Sequence, residues 1–194
     1  MPFYSAQERF TAANPGWQKY IDWSGRSSAV EIITFDGMLC SPLIDELTDE
    51  DWQHNIRADN MAYFFSEYVY LLTRISFDPA KHNILELTQR PDCNVVPTDS
   101  FQFCGYDIMD SDDSISVLLN CGEFPNIFSP ADTNSFGLLD KLGDANRIAD
   151  NIRTANPDEH HCRDCRVWGI DRYAGKLLYG LLIQVVRDGP AVKM

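Results

Sequence analysis

Two short segments of this chain gather side chains that can do chemistry. The first holds Asp107, Asp110, Asp112 and Asp113. Hard divalent cations take oxygen ligands of this kind, so Asp107, Asp110 and Asp113 are the candidate ligands of a metal-dependent hydrolase. A calcium loop begun at Asp110 would place oxygen donors at Asp110, Asp112 and Ser114. It fails where the loop needs its turn glycine, at Ile115, and where it needs its closing glutamate, at Cys121. The other reading is a solvated turn, in which aspartates cap nearby backbone N–H groups.

The second segment is His160-His161-Cys162-Arg163-Asp164-Cys165. A CxxC pair presents two thiolates at the spacing of a zinc knuckle, and His160 or His161 can add an imidazole. Structural zinc needs a second ligand pair, and no further CxxC, CxxH or HxxxH follows. A thioredoxin-type motif sits at a helix N-terminus after a strand; here the pair follows a helix end and precedes a strand pattern. Zinc on Cys162, Cys165 and a histidine is kept as an alternative, and the expectation is no cofactor. Cys40, Cys93, Cys104 and Cys121 read as small buried thiols. His54 and His82, the other histidines, read as loop or surface groups. GxSxG, HExxH, GxxxxGK[ST] and GxGxxG are all missing, so nothing spells out an enzyme.

The elements that would position these groups follow from periodicity and breakers. Ser5 to Ala13 reads as a short helix stopped by Asn14-Pro15-Gly16, with Trp17 to Trp23 as a second. Ala29 to Phe35 is β-branched and ends at Asp36-Gly37, a tight-turn dipeptide. Asp45 to Asp51 reads as a solvated loop or helix edge, and Met61 to Ile75 as a core helix. Strands are expected at Asn83 to Thr88, Phe101 to Ile108 and Ser114 to Asn120. Leu138, Leu142, Ala145, Ile148, Ala149 and Ile152 form one apolar helical stripe ended by Asn156-Pro157. Arg166 to Tyr173 and Leu177 to Val186 read as strands around Ala174-Gly175-Lys176, a hairpin pattern. Helices and strands without βαβ alternation predict an α+β fold, a mixed and mostly antiparallel sheet packed with helices. At 194 residues, one domain over 1–194 is expected.

Charge narrows the partners. The formal net charge is −13. Residues 1–150 carry 9 basic against 24 acidic side chains, and residues 151–194 carry 7 against 5. Such a field repels nucleic acid and anionic membrane and speeds encounter with a basic protein. Met1 to Arg9 lacks the basic-then-apolar pattern of a secretory signal. The longest apolar run, Leu177 to Val186, is about half a membrane span. A soluble cytoplasmic protein is expected, its thiols reduced.

One stretch carries a resemblance. Cys104-Gly105-Tyr106-Asp107-Ile108-Met109-Asp110, then Ser114-Ile115-Ser116-Val117-Leu118-Leu119-Asn120-Cys121-Gly122, then Phe124-Pro125, Phe128 and Asn134-Ser135-Phe136-Gly137-Leu138-Leu139 follow one another. Over residues 100–155 this texture resembles small bacterial proteins encoded beside contact-dependent and Rhs-type toxins, where they act as immunity proteins. The resemblance implies a non-enzymatic protein that neutralises a toxin by binding and occluding it.

The sequence-level expectation is therefore an acidic immunity protein whose partner is a basic toxin domain. Its contact residues are expected at Asp45, Glu46, Asp49, Glu50, Asp51 and Trp52, and at Tyr106, Asp107, Asp110, Asp112 and Asp113. The alternatives are the metal-dependent hydrolase or zinc protein above, and a DNA-mimic inhibitor of a nuclease. The last would need carboxylates spaced along one face, whereas these are clustered.

Overall fold

A computed structural model describes residues 3–34, 78–89, 101–110, 116–119 and 126–174. Its centre is a strand from late in the chain. Arg166–Tyr173 (β6) lies between His82–Gln89 (β4) and Phe101–Met109 (β5), and Phe3–Glu8 (β1) pairs with the far side of β4. All three pairings are antiparallel, with Leu87 opposite Ile170, Tyr106 opposite Gly169, and Ala6 opposite Ile84. Two shorter strands, Phe10–Thr11 (β2) and Glu31–Ile32 (β3), form a second antiparallel pair. Helices Trp17–Ser24 (α1), Leu142–Ala155 (α2) and His160–Arg163 (α3) complete these segments. The fold is α+β with antiparallel sheets, as the mixed pattern of elements predicts.

Alternation along β6 separates two apolar layers. Val167 faces α2 and joins Ile108, Ala145, Ile148, Ala149, Ile152, Cys162 and Cys165 in one cluster. Trp168 and Ile170 face the other way, against Ile33, Leu85, Leu87, Cys104, Met109 and Leu138. A third cluster, Phe10, Tyr20, Ile21, Ile32 and Leu119, seats α1. Helix α2 forms where the sequence predicts it because Ala145, Ile148, Ala149 and Ile152 fall on one face. Asp144 in its first turn and Arg153 in its last complement the macrodipole. Leu138, expected on the same stripe, instead lies before the helix and is buried in the second cluster.

The strand β5 bends at a bulge. Its register shifts between Phe103 and Gly105, and Gly105 adopts φ 144. A side chain there would lie 2.7 Å from Leu138 Cβ and 3.0 Å from Leu139 O, so only glycine fits. Tyr106 and Leu139 then exchange backbone hydrogen bonds of 2.8 and 2.9 Å. Asn134 secures the approach: its Oδ1 accepts from Phe136 N at 2.9 Å and its Nδ2 donates to Cys104 O at 2.8 Å. Gly105, Asn134 and Leu138 thus each have a structural role here.

Other expectations fare unevenly. The strands at Asn83 to Thr88, Phe101 to Ile108 and Arg166 to Tyr173 are present, as is the helix from Trp17. The helix expected over Ser5 to Ala13 is instead β1 and β2, because β1 is held by β4, more than seventy residues onward. Ser114 to Asn120 does not form the expected strand partner of β5 within its described residues. Only Ser116 bridges to Met109, and Val117 to Leu119 turn. Of the described residues of Ala29 to Phe35, Glu31 and Ile32 form a strand. The expected features at Asp36-Gly37, Asp45 to Asp51, Met61 to Ile75 and Leu177 to Val186 lie outside the described residues.

Candidate functional site

Five of the fifteen acidic side chains in the described segments are buried: Glu31, Glu86, Asp107, Asp110 and Asp171. Burying a carboxylate is costly unless it is hydrogen-bonded, so each marks a built environment rather than a solvated surface.

Glu31 is the most heavily engaged. It lies in an apolar run, Val30-Glu31-Ile32-Ile33, and is buried with Ile32 and Ile33. Arg9 Nε and Nη2 donate to its two oxygens at 2.9 and 2.6 Å. Asn83 Nδ2 donates at 2.7 Å and Arg172 Nη1 at 3.0 Å. Four donors from three separate segments thus converge on one carboxylate. Its hydrogen bond raises the Arg9 pKa further above the already basic guanidinium value. Arg172 also lies over the Phe136 ring, 5.2 Å from its centroid.

Asp107 accepts from Thr34 Oγ1 and Ser116 Oγ, each at 2.7 Å, and from Ile108 N at 2.8 Å. This carboxylate ties β5 to the chain following β3 and to the turn at Ser116. Asp110 points elsewhere, its Oδ2 3.4 Å from His160 Nδ1, while His160 Nε2 lies 3.6 Å from Asp164. Asp107 and Asp110 are 0% and 1% exposed, which corrects the expectation that they present a charged face to a partner. Asp113, the third carboxylate of the hydrolase alternative, lies outside the described residues. So do Asp112, Asp45, Glu46, Asp49, Glu50, Asp51 and Trp52. Tyr106 is half-buried, its ring edge-on to Phe103 at 4.9 Å and against the α2 cluster.

The CxxC segment lies where the sequence places it, between α2 and β6. Cys162 and Cys165 are both 1% exposed and belong to the α2 cluster. Burial above all pushes the Cys165 thiol up to about 11, with the neighbouring Cys162 and Asp110 adding to the shift. A thiol held so far above neutrality is a poor nucleophile. Arg153 Nη1 donates to Cys165 O at 2.6 Å and fastens the turn to α2. Among the described residues, no three His, Cys, Asp or Glu side chains gather as metal ligands. His82 is engaged locally, since Asp78 N donates to its Nδ1 at 2.8 Å, and burial lowers its pKa.

Sequence reasoning does not single out Glu31, Arg26, Glu86 or Asp171. Glu86 and Asp171 stand opposite each other across β4 and β6. Arg26 follows the left-handed cap Gly25 of α1 and is 2% exposed, donating to Gly137 O and Leu118 O. The signal that could have found them is a charged residue inside an apolar or strand-forming run. Exposure also separates residues that composition cannot: Trp23 and Val30 are 61% and 63% exposed.

These segments define an α+β protein with buried, hydrogen-bonded carboxylates on an antiparallel sheet. Comparison with family models, curated proteins and solved structures finds no match for the chain. Among the described residues no helix is long and apolar enough to cross a membrane.

Proposed function

We propose that this chain is an acidic cytoplasmic immunity protein that neutralises a cognate bacterial toxin by binding and occluding a basic domain. The charge surplus carries the reading. Outside the described segments the sequence holds 14 acidic against 6 basic side chains. Within them, many bases are already engaged: Arg9 and Arg172 with Glu31, Arg147 with Asp144, Arg153 with Asp150, and Arg163 with Asp164. These five are half of the ten basic side chains in the described segments. A net negative body steers a basic partner and raises association rates well above the neutral case. The candidate contact acids are Asp45, Glu46, Asp49, Glu50, Asp51, Asp112 and Asp113; buried Asp107 and Asp110 are not among them.

A tagged copy purified from its native host should bring down a basic protein whose toxicity it suppresses. The association rate of that pair should fall as salt rises from about 50 to 500 mM, as screening shortens the Debye length. Recovery of no toxic partner removes the immunity role, and a rate flat across that range removes its electrostatic basis.

A further inference from the structure

The most unusual exposed side chain in the described segments is Trp23. It lies on the outer side of α1 with 61% of its surface exposed, its ring edge-on to Tyr20 at 6.2 Å. Tyr20 belongs to the cluster of Phe10, Ile21, Ile32 and Leu119, against which half-buried Trp17 and Ala29 also pack. Val30, next to Ala29, is 63% exposed. Between Trp23 and Val30 the chain reads Ser24-Gly25-Arg26-Ser27-Ser28-Ala29, and the single charge, Arg26, is buried. The outer surface of this segment is therefore apolar and small-polar, without an exposed charge. Lys19 and Asp22, on the same helix as Trp23, are exposed.

An exposed tryptophan followed by a stretch without an exposed charge, with Lys19 and Asp22 exposed on its own helix, has the composition of an interface core. The charge of the whole chain decides between occupants. A second copy would bring another −13 body against the first, and nucleic acid is repelled by the same field. A basic protein is attracted. We infer that the Trp23–Val30 surface is a docking site for a basic protein, with Trp23 as its buried anchor. This rests on the binding reading above and adds to it a place: the acidic stretches supply attraction, and this neutral patch supplies the desolvated contact.

The test pans a phage-displayed random dodecapeptide library on the full chain and on Trp23→Ser and Val30→Ser variants. Sedimentation of the wild type is run alongside. Both side chains are exposed, so both variants should melt with the wild type, and circular dichroism checks this. The expected result is enrichment of peptides that pair Lys or Arg with an apolar anchor and bind Trp23→Ser at least tenfold more weakly. No enrichment, binders indifferent to Trp23, acidic binders, or a wild-type dimer dissolved by Trp23→Ser would each overturn the inference. Failure of toxin neutralisation leaves this result intact. Conversely, a toxin bound equally by Trp23→Ser preserves the immunity role and removes the docking site.

Discussion

Replacing Glu31 by glutamine should expose how much the fold depends on one carboxylate. The substitution keeps the size and removes the charge. It also turns an N–H₂ group toward donors that had an oxygen to meet. Four hydrogen bonds end on Glu31, at 2.9, 2.6, 2.7 and 3.0 Å. Hydrogen bonds to charged groups contribute about 1.5–3 kcal/mol each, and removing one member of a buried pair costs about 3–5 kcal/mol. The Glu31 side chain is 3% exposed, whereas Arg9 and Arg172 keep 28% and 21%, so water recovers part of what the arginines lose. The expected net loss is about 3 kcal/mol, or about 6–12 °C in Tm for a chain of this length. Urea unfolding followed by fluorescence measures it as a shifted midpoint at unchanged slope. The internal contrast is Arg147→Ala, which breaks a 3.3 Å helix-surface pair whose side chains are 58% and 49% exposed. That change should cost no more than about 0.5 kcal/mol. A loss below about 1 kcal/mol for Glu31→Gln would place the clasp with such surface pairs and refute the reasoning.

Two further outcomes follow from backbone and thiol chemistry. Gly105→Ala should cost about 3 kcal/mol, combining positive-φ strain with overlap against Leu138 and Leu139, while Gly143→Ala, with nothing within 4 Å, should be neutral or stabilising by about 0.5 kcal/mol. Paired thermal melts check this, and equal melting points would refute it. Burial first pushes both Cys104 and Cys165 to about 11, from an ordinary thiol value near 9. The folded state therefore holds these protons between about pH 9 and 11 while the unfolded chain releases them. Their contribution to stability is full below pH 9 and lost as pH rises through that window, at about 1.4 kcal/mol per pH unit for each thiol. Chemical unfolding across pH 8–11 should show a shallower decline in a Cys104→Ala, Cys165→Ala double variant. An identical slope would refute the assignment.

What is legible in the sequence divides along physical lines. Helix α2 and the strands β4, β5 and β6 carry their own periodicity, and their ends coincide with breakers such as Asn156-Pro157. Helix α1 announces itself through Asn14-Pro15-Gly16, where Asn14 Oδ1 accepts from Gly16 N at 2.8 Å. The Ser5 to Ala13 segment reads as helix because Ala6, Gln7, Glu8 and Arg9 are good helix formers, and only pairing with the distant β4 makes part of it a strand. A hairpin between β5 and Ser114 to Asn120 is the natural local choice. The sheet instead joins β5 to β6, some sixty residues away, a choice that local pattern does not encode. The candidate site is legible as residue types but not as environment. Asp107 and Asp110 look like surface aspartates beside Asp112 and Asp113 until Thr34, Ser116 and His160 are brought to them. Glu31 is visible only as a charge inside an apolar run. Of the tail's arginines, Arg172 reaches across to the acidic body at Glu31, while Arg153 and Arg163 pair with acids close by in sequence.

The central place of β6 fixes when the protein can finish folding during its synthesis. Strands β4 and β5 are complete by residue 109 yet share no edge; each meets β6 instead. At about 5–20 residues per second, residue 173 follows residue 109 by roughly 3–13 s. For that interval the nascent chain holds two strands whose pairing edges wait for the same partner, a template for association with neighbouring chains. The acids of these two waiting strands that end up buried, Glu86 and Asp107, are then still hydrated charges. They keep the waiting strands apart from other acidic nascent copies and act as gatekeepers until β6 arrives and buries them.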